Sequence, residues 1–443
     1  MARKYVFLPI LILFWMHSAV AQGAPQNASQ SAVEQPLPLD EAVRTALRQH
    51  PALREAEAAV AAAEAEVRQA RSYYFPQLSF SGIVKAGLSG ATSLGLPGFP
   101  ASPFFRNTAY SVNWYQSVFD FGRIKHLVAM DRALYKSAQL KQTSEKQRIV
   151  LDVKRAYFSV LEAQRLEQVG EETVRERSLT VEKANAYYQE ELGSKLDLSL
   201  AEASLAEAQG ALTHSHNAVL TSFAALRAAM GVDGSQTYLL QAPPFENISL
   251  QPLEDLVQEG MKNRPDEQAL ESKITSLKEN LGLTHSQSLP DITGFGAGGQ
   301  GRFNGTTVKE DQQHGVGALG VIFPIFTGGK LKAVRDEAQA ELAGAMATKD
   351  QLHQQIRLEV AQGYYQLLDL AERIKAADQQ RQAAQSALSL AQARYHAELG
   401  SFLDVLTAQV GATNAETEYA RTQFDYELAK AQLDFTTGKT IRP

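Results

Sequence analysis

The chain states the same pattern twice. Glu191-Leu192-Gly193-Ser194 returns 207 positions later as Glu398-Leu399-Gly400-Ser401, Leu196-Asp197 as Leu403-Asp404, and Ala201 as Ala408. The same interval carries Ile149, Val153 and Tyr157 onto Ile356, Val360 and Tyr364, and Gly231 onto Gly438. Upstream the interval is 214, taking His50-Pro51 to Arg264-Pro265 and Phe75-Pro76 to Leu289-Pro290. The difference of seven falls in one loop. A duplication that keeps its spacing over this length implies two copies of one structural unit. A chain of 443 residues could hold two or three unrelated domains, but the repeat argues for one pseudo-symmetric body.

The N-terminus reads as an export signal over residues 1–21. Arg3 and Lys4 precede an apolar run from Tyr5 to Trp15, and Ala19-Val20-Ala21 is a small-residue cleavage site. Residues 22–38 are polar and rich in Ala, Gln, Ser and Pro, a flexible lead. The repeats are expected at 39–231 and 253–438, with a linker at 232–252 and a tail at 439–443. The chain has no cysteine, which excludes disulfides, thiolate zinc sites and lipid attachment through an N-terminal cysteine. Its net charge is −6 and no basic patch stands out, so nucleic acid is not an expected partner.

Proline placement sets the element lengths. None occurs between Pro103 and Pro243, or between Pro324 and Pro443. Long proline-free stretches rich in Ala, Gln, Glu, Leu and Arg predict long helices. The expected spans are Arg123 to about Glu190, then Ser194–Met230, and in the second copy Lys330–Ala397, then Phe402–Thr436. Val360, Tyr364, Leu367, Ala371 and Ile374 form a heptad-like seam for a neighbouring helix. Each copy opens with a shorter helix, Asp40–Arg71 or about Leu253–His285, kinked or broken at Pro51 and Pro265.

A different period follows each short helix. Leu78, Phe80 and Val84 alternate with Ser79, Ser81 and Lys85; Tyr110, Val112, Trp114 and Val118 alternate with Ser111, Asn113 and Ser117. Period two with one apolar face predicts strands. The second copy offers Gly-rich strands at Ile292–Gly299 and Val316–Phe326, and loops are expected at Gly87–Thr108 and Gln300–Gln313. Four strands leave two open edges, which lipid does not tolerate. If they cross a membrane, several chains must share one barrel.

These residues resemble TolC-like outer-membrane efflux proteins. Phe119-Asp120-Phe121-Gly122-Arg123 and Pro324-Ile325-Phe326-Thr327-Gly328-Gly329-Lys330 look like that family's strand-to-helix transition. Arg394-Tyr395, then Gly400 to Gln409, looks like its helical-hairpin tip. The resemblance implies a mainly α fold with a membrane β-barrel portion. Each repeat would run helix, strand, strand, long helix, turn, helix, and a homotrimer would form one twelve-stranded barrel above a periplasmic helical tube. It also implies the outer membrane of a Gram-negative-type bacterium, a periplasmic adaptor (membrane fusion protein) and an inner-membrane pump of RND, ABC or MFS type. Glu191 and Glu398 stand where many family tips carry glycine, and Phe402 and Lys195 follow the tip serines where some members place an arginine latch.

The candidate sites follow. Gly193 and Gly400 are expected to end their helices with positive φ. With Leu192, Ser194, Leu399 and Ser401 they form the expected adaptor-docking tips. Asp404 is expected at the closed aperture, with Asp197 on the outer hairpin and Tyr395 beside them; helix-dipole support is the simpler role of both aspartates. Gly122, Gly328 and Gly329 mark the strand-to-helix transitions, and Phe80, Tyr110 and Trp114 are candidates for a barrel aromatic girdle. His214 and His216 point apart on a helix. No catalytic, cofactor or metal site is assigned, because no nucleophile set, phosphate loop or ligand cluster emerges. The reading is a passive exit duct for substrates delivered by the pump. A non-conducting coiled-coil scaffold or adhesin stalk would explain the helices but not the four alternating segments.

Overall fold

The computed structural model describes residues 36–88, 104–191, 193–234, 236–243, 250–304 and 309–439. The expected export signal and most of the flexible lead lie outside them. The first half runs β1 (Pro36–Leu37), α1 (Leu39–Gln49), α2 (Pro51–Ser72), β2 (Gln77–Leu88), β3 (Phe104–Phe119), α3 (Arg123–Gln189) and α4 (Lys195–Met230). The second runs β4 (Leu239–Leu240), α5 (Leu253–Asn263), α6 (Pro265–Ser286), β5 (Asp291–Asn304), β6 (Lys309–Ile322), α7 (Lys330–His396) and α8 (Phe402–Thr436). Helices α3 and α7 have 67 residues each, about 100 Å at 1.5 Å per residue. The opening helix of each repeat is broken, not kinked. A residue before proline is pushed out of the α region, and His50 (ψ 129°) and Arg264 (ψ 125°) are accordingly extended. Each proline then starts a new helix at its first turn, where its missing N–H leaves no bond unmade.

The helices bury two equivalent cores. Ile149, Val153, Val160, Val219 and Leu226 pack with α1 in one. Their counterparts Ile356, Val360, Leu367, Tyr426 and Leu433 pack with α5 in the other, and the seam residues Tyr364, Ala371 and Ile374 lie against it. One feature has no counterpart in the second repeat among the described residues. The buried Tyr157 hydroxyl lies 2.8 Å from the Leu37 carbonyl and 2.9 Å from that of Gln241, and accepts the Gln241 N–H at 3.0 Å. It fastens the short parallel pair β1–β4 onto α3. Burial raises its pKa.

The four long strands form one antiparallel sheet in the order β2-β3-β5-β6. Both second-copy strands reach further into the connecting segment than their glycine content predicts, because the ladder continues to Asn304 opposite Lys309. Main-chain pairing overrides the weak intrinsic preference of glycine. At its other end β6 stops at Ile322 instead of Phe326, short of Pro324, which has no N–H to donate. The first pair also extends past its expected loop bounds, with Leu88 opposite Phe104.

Candidate functional site

The register sorts the sheet into two unlike faces. Leu78 lies opposite Trp114, Phe80 opposite Val112, and Gly82 opposite Tyr110. These residues share a face with Leu319 and Val321, and all the large ones are exposed in the single chain. Phe80, Tyr110 and Trp114 therefore occupy three successive rows of one apolar face. The glycines that blur the period in β5 have a steric reason. A Cβ at Gly296 would fall 2.0 Å from the Trp114 indole nitrogen, and one at Gly294 3.1 Å from its ring. The opposite face is mixed: the Ser81 and Ser111 hydroxyls lie 2.9 Å apart and Asn113 donates to Ser81 at 3.0 Å, beside exposed Ile83, Tyr115, Phe295 and Val316.

Each strand-to-helix junction needs two successive left-handed residues. They are Phe121 (φ 52°) and Gly122 (φ 86°) in the first repeat, and Gly328 (φ 62°) and Gly329 (φ 87°) in the second. Phe121 therefore holds a conformation that usually falls to glycine. Its neighbours explain why: its ring meets Phe119 edge-on at 4.7 Å, and Asp120 accepts from the Gly122 and Ile124 amides at 3.0 and 2.7 Å. Arg123 then pairs with Asp291 of β5 at 2.5 Å, joining the two repeats.

At the far end of the tube the helical hairpins turn. The expectation that the tip glycines take positive φ is corrected here. The left-handed residues are Glu191 (φ 60°) and Glu398 (φ 59°), two places earlier. At the second tip the Leu399 amide bonds the Arg394 carbonyl at 2.8 Å and the Glu398 amide bonds Tyr395 at 3.0 Å. That paired closure is a Schellman motif with glutamate at its left-handed position. Gly400 serves a different purpose, since a Cβ there would press within 3.2 Å of Arg394 Cβ; at Gly193 it would stand 3.0 Å from Tyr187 Cβ. Leu192 lies outside the described residues. Ser194 and Ser401 each cap the returning helix, accepting the amides of Asp197 and Asp404 at 3.1 Å. Each aspartate reaches back to its serine amide, at 3.4 Å for Asp197 and 3.0 Å for Asp404, closing a capping box. Those bonds from Ser401, and after them the Arg394 charge, hold the exposed Asp404 carboxyl below its ordinary range.

The two tips are knitted together by aromatic side chains. Phe402 is buried with Ala184 of α3 and Ala201 of α4, so it crosses from the second hairpin into the first. Tyr395 packs on it with tilted rings 5.4 Å apart and meets Tyr187 at 6.0 Å, while the Tyr187 hydroxyl lies 3.2 Å from His396 Nδ1. Burial, then the Asp197 charge, raises the Tyr395 pKa. Sequence reasoning noted Phe402 only as a departure. Its mismatch with Lys195, inside an otherwise matching tip, was the available signal. Leu196 and Leu403 entered only as matched repeat positions; at 66% and 62% exposed they flank the tips with apolar surface.

Comparison with known proteins places this architecture. The model of the outer membrane efflux protein family matches residues 42–232 and 256–439. The chain is 24% identical to the outer membrane protein TolC of Escherichia coli K12, over 88% of this chain and 80% of that protein. It is 25% identical to the cation efflux system protein CusC of Escherichia coli O157:H7, over 83% and 78%. Among solved structures, VceC of Vibrio cholerae superposes with a TM-score of 0.79 at 21% identity, covering 90% of this chain and 96% of that one. With both of its repeats matched by the model, this chain belongs to the outer membrane efflux protein family.

Proposed function

We propose that three copies of this outer-membrane efflux protein close one barrel, four strands from each, above a continuous helical tube that reaches into the periplasm. The observation that carries this reading is the four-stranded sheet, with large exposed apolar side chains in successive rows of one face and with open edges at β2 and β6. Substrate would pass passively through this duct as the outer component of a tripartite efflux or type I secretion assembly. An inner-membrane pump would supply the energy. A periplasmic adaptor would dock at the tips, where Leu399, Gly400 and Ser401, with Gly193 and Ser194, sit beside the exposed Leu196 and Leu403. Three Asp404 carboxylates around one axis repel each other and attract cations, and the capping box favours the ionised form of each. Gating is then a change in tip packing around Tyr395, Phe402 and Asp197, biased by the adaptor.

Single-channel recording in planar bilayers tests this. The purified protein is expected to conduct, with Asp404→Ala and Tyr395→Phe raising the open fraction. Protein that never conducts, even with both changes, overturns the duct. The sheet also argues against the scaffold alternative, because a periplasmic stalk has no use for an apolar face on a four-stranded sheet. Extraction separates the two: a barrel leaves the membrane only in detergent, a scaffold with salt or high pH.

A further inference from the structure

We propose that the groove along α3, between α4 and α8, binds a small organic carboxylate, its charged end on the Arg177 guanidinium and its apolar body in the groove. α3 packs against both helices, while α4 and α8 scarcely touch each other. That separation leaves a groove of about 520 Å³ with α3 as its floor, within the size range of small-molecule sites. Arg177 lies about 18 Å short of the end of α3 at Gln189, at 1.5 Å per residue, so the site is separate from the tip turns. Floor and walls come from one chain, and the site needs no partner subunit. The walls belong to different hairpins, α4 to the first and α8 to the second, so an occupant lies between them.

Arg177 is the observation that carries this. Its side chain is only 8% exposed, yet its bonds are few. Nη1 donates to the Ser204 carbonyl at 2.7 Å and to Glu207 at 3.4 Å. The second contact is long for a charged pair, and Glu207 is itself 78% exposed. Nε is buried without a partner among the described residues. In a guanidinium the Nε–H and one Nη2–H point the same way, a fork that takes a carboxylate in two parallel bonds. A buried charge left half-bonded is costly, and an anion on that fork compensates it. The fold does not dictate the arginine. Its counterpart in the second repeat is Ala384, and Ser204 and Glu207 become Gly411 and Asn414. Around it, the hydroxyls of Thr173 and Thr413 lie 3.4 Å apart, and Asn414 lines the same groove. Leu166, Val169 and Ala211 supply apolar lining further on. Glu162 and Arg421, which also line the groove, pair with each other at 3.9 Å, about 22 Å away along α3. A polar socket at one end of an apolar trough fits a carboxylate on an apolar stem better than an inorganic anion.

Fluorine NMR on the full-length protein in detergent, with para-fluorobenzoate as the probe, tests this at neutral pH. Saturable line broadening is expected, and Arg177→Met should weaken it about tenfold. The uncharged para-fluorobenzamide, of the same shape, should bind about tenfold more weakly than the benzoate. Inorganic phosphate, charged but without a stem, should displace the benzoate only at about tenfold higher concentration. Ala211→Trp blocks the trough and leaves Arg177 in place; it should also weaken the benzoate, and it serves if Arg177→Met does not fold. An arginine that only ties α3 to α4 would change the melting temperature on substitution without any probe binding saturably. The inference is overturned if the benzoate does not saturate, if the benzamide matches it, or if both variants bind it as the parent does. Phosphate that competes as an equal overturns the apolar stem. None of these readouts depends on conduction, so a protein that never conducts leaves this result standing by itself.

Discussion

Glu398 occupies backbone space that normally goes to glycine (φ 59°). A left-handed residue with a Cβ is disfavoured by roughly 1–2 kcal/mol. The turn persists because its amides satisfy the last carbonyls of α7. Glu398→Gly is therefore expected to stabilise this turn by about 1 kcal/mol, measured as slower hydrogen exchange at the Glu398 and Leu399 amides. Asp404 supplies a pH dependence at the same tip. Its folded pKa is depressed from the usual 3.8, so the capping box contributes above that value and is lost as pH falls through the lowered one. The start of α8 should fray below about pH 4, and Asp404→Asn should remove that dependence in an exchange profile. The sequence did not reveal Glu191 and Glu398 as the left-handed residues, because turn glycines are the usual signal and one stands two places after each. In this fold their lack of a Cβ serves clearance from the preceding helix instead.

Element boundaries were legible wherever composition and punctuation agreed. α8 spans Phe402–Thr436 as expected, and α3 and α7 end within a residue of expectation. Proline-free alanine- and leucine-rich runs leave little alternative to helix. The strands of the second repeat were harder, since Gly294 and Gly296 erase the period for the sake of a ring supplied by another strand. Trp114 is remote in sequence, so no local pattern reports it. Gly296→Val is expected to displace Trp114 and impair sheet assembly, seen as fewer heat-resistant multimers on semi-native gels. The link between hairpins was equally hidden, because Phe402 finds its pocket in the other repeat. Phe402→Ala should cost about 3–5 kcal/mol of local packing. Protease sensitivity at the tips and open probability in bilayers are both expected to rise.

At the scale of the molecule, duplication was the strongest sequence signal, and the two cores and two hairpins follow it position by position. The fold class needed little more, because strand pairs followed by long helical hairpins fit few architectures. The tip chemistry was less legible, since it depends on where the repeats cease to match. Tyr157 matches Tyr364 in sequence, yet its bonds to Leu37 and Gln241 have no second-repeat counterpart among the described residues. It stands about halfway along α3, roughly 50 Å from the strands at 1.5 Å per residue. Because its hydroxyl clasps Leu37 and Gln241 there, the β1–β4 pair is moored at the waist of the molecule, far from the bilayer. A reporter fused directly ahead of Pro36 would accordingly sit at mid-height, where it leaves both the mouth and the docking end unobstructed.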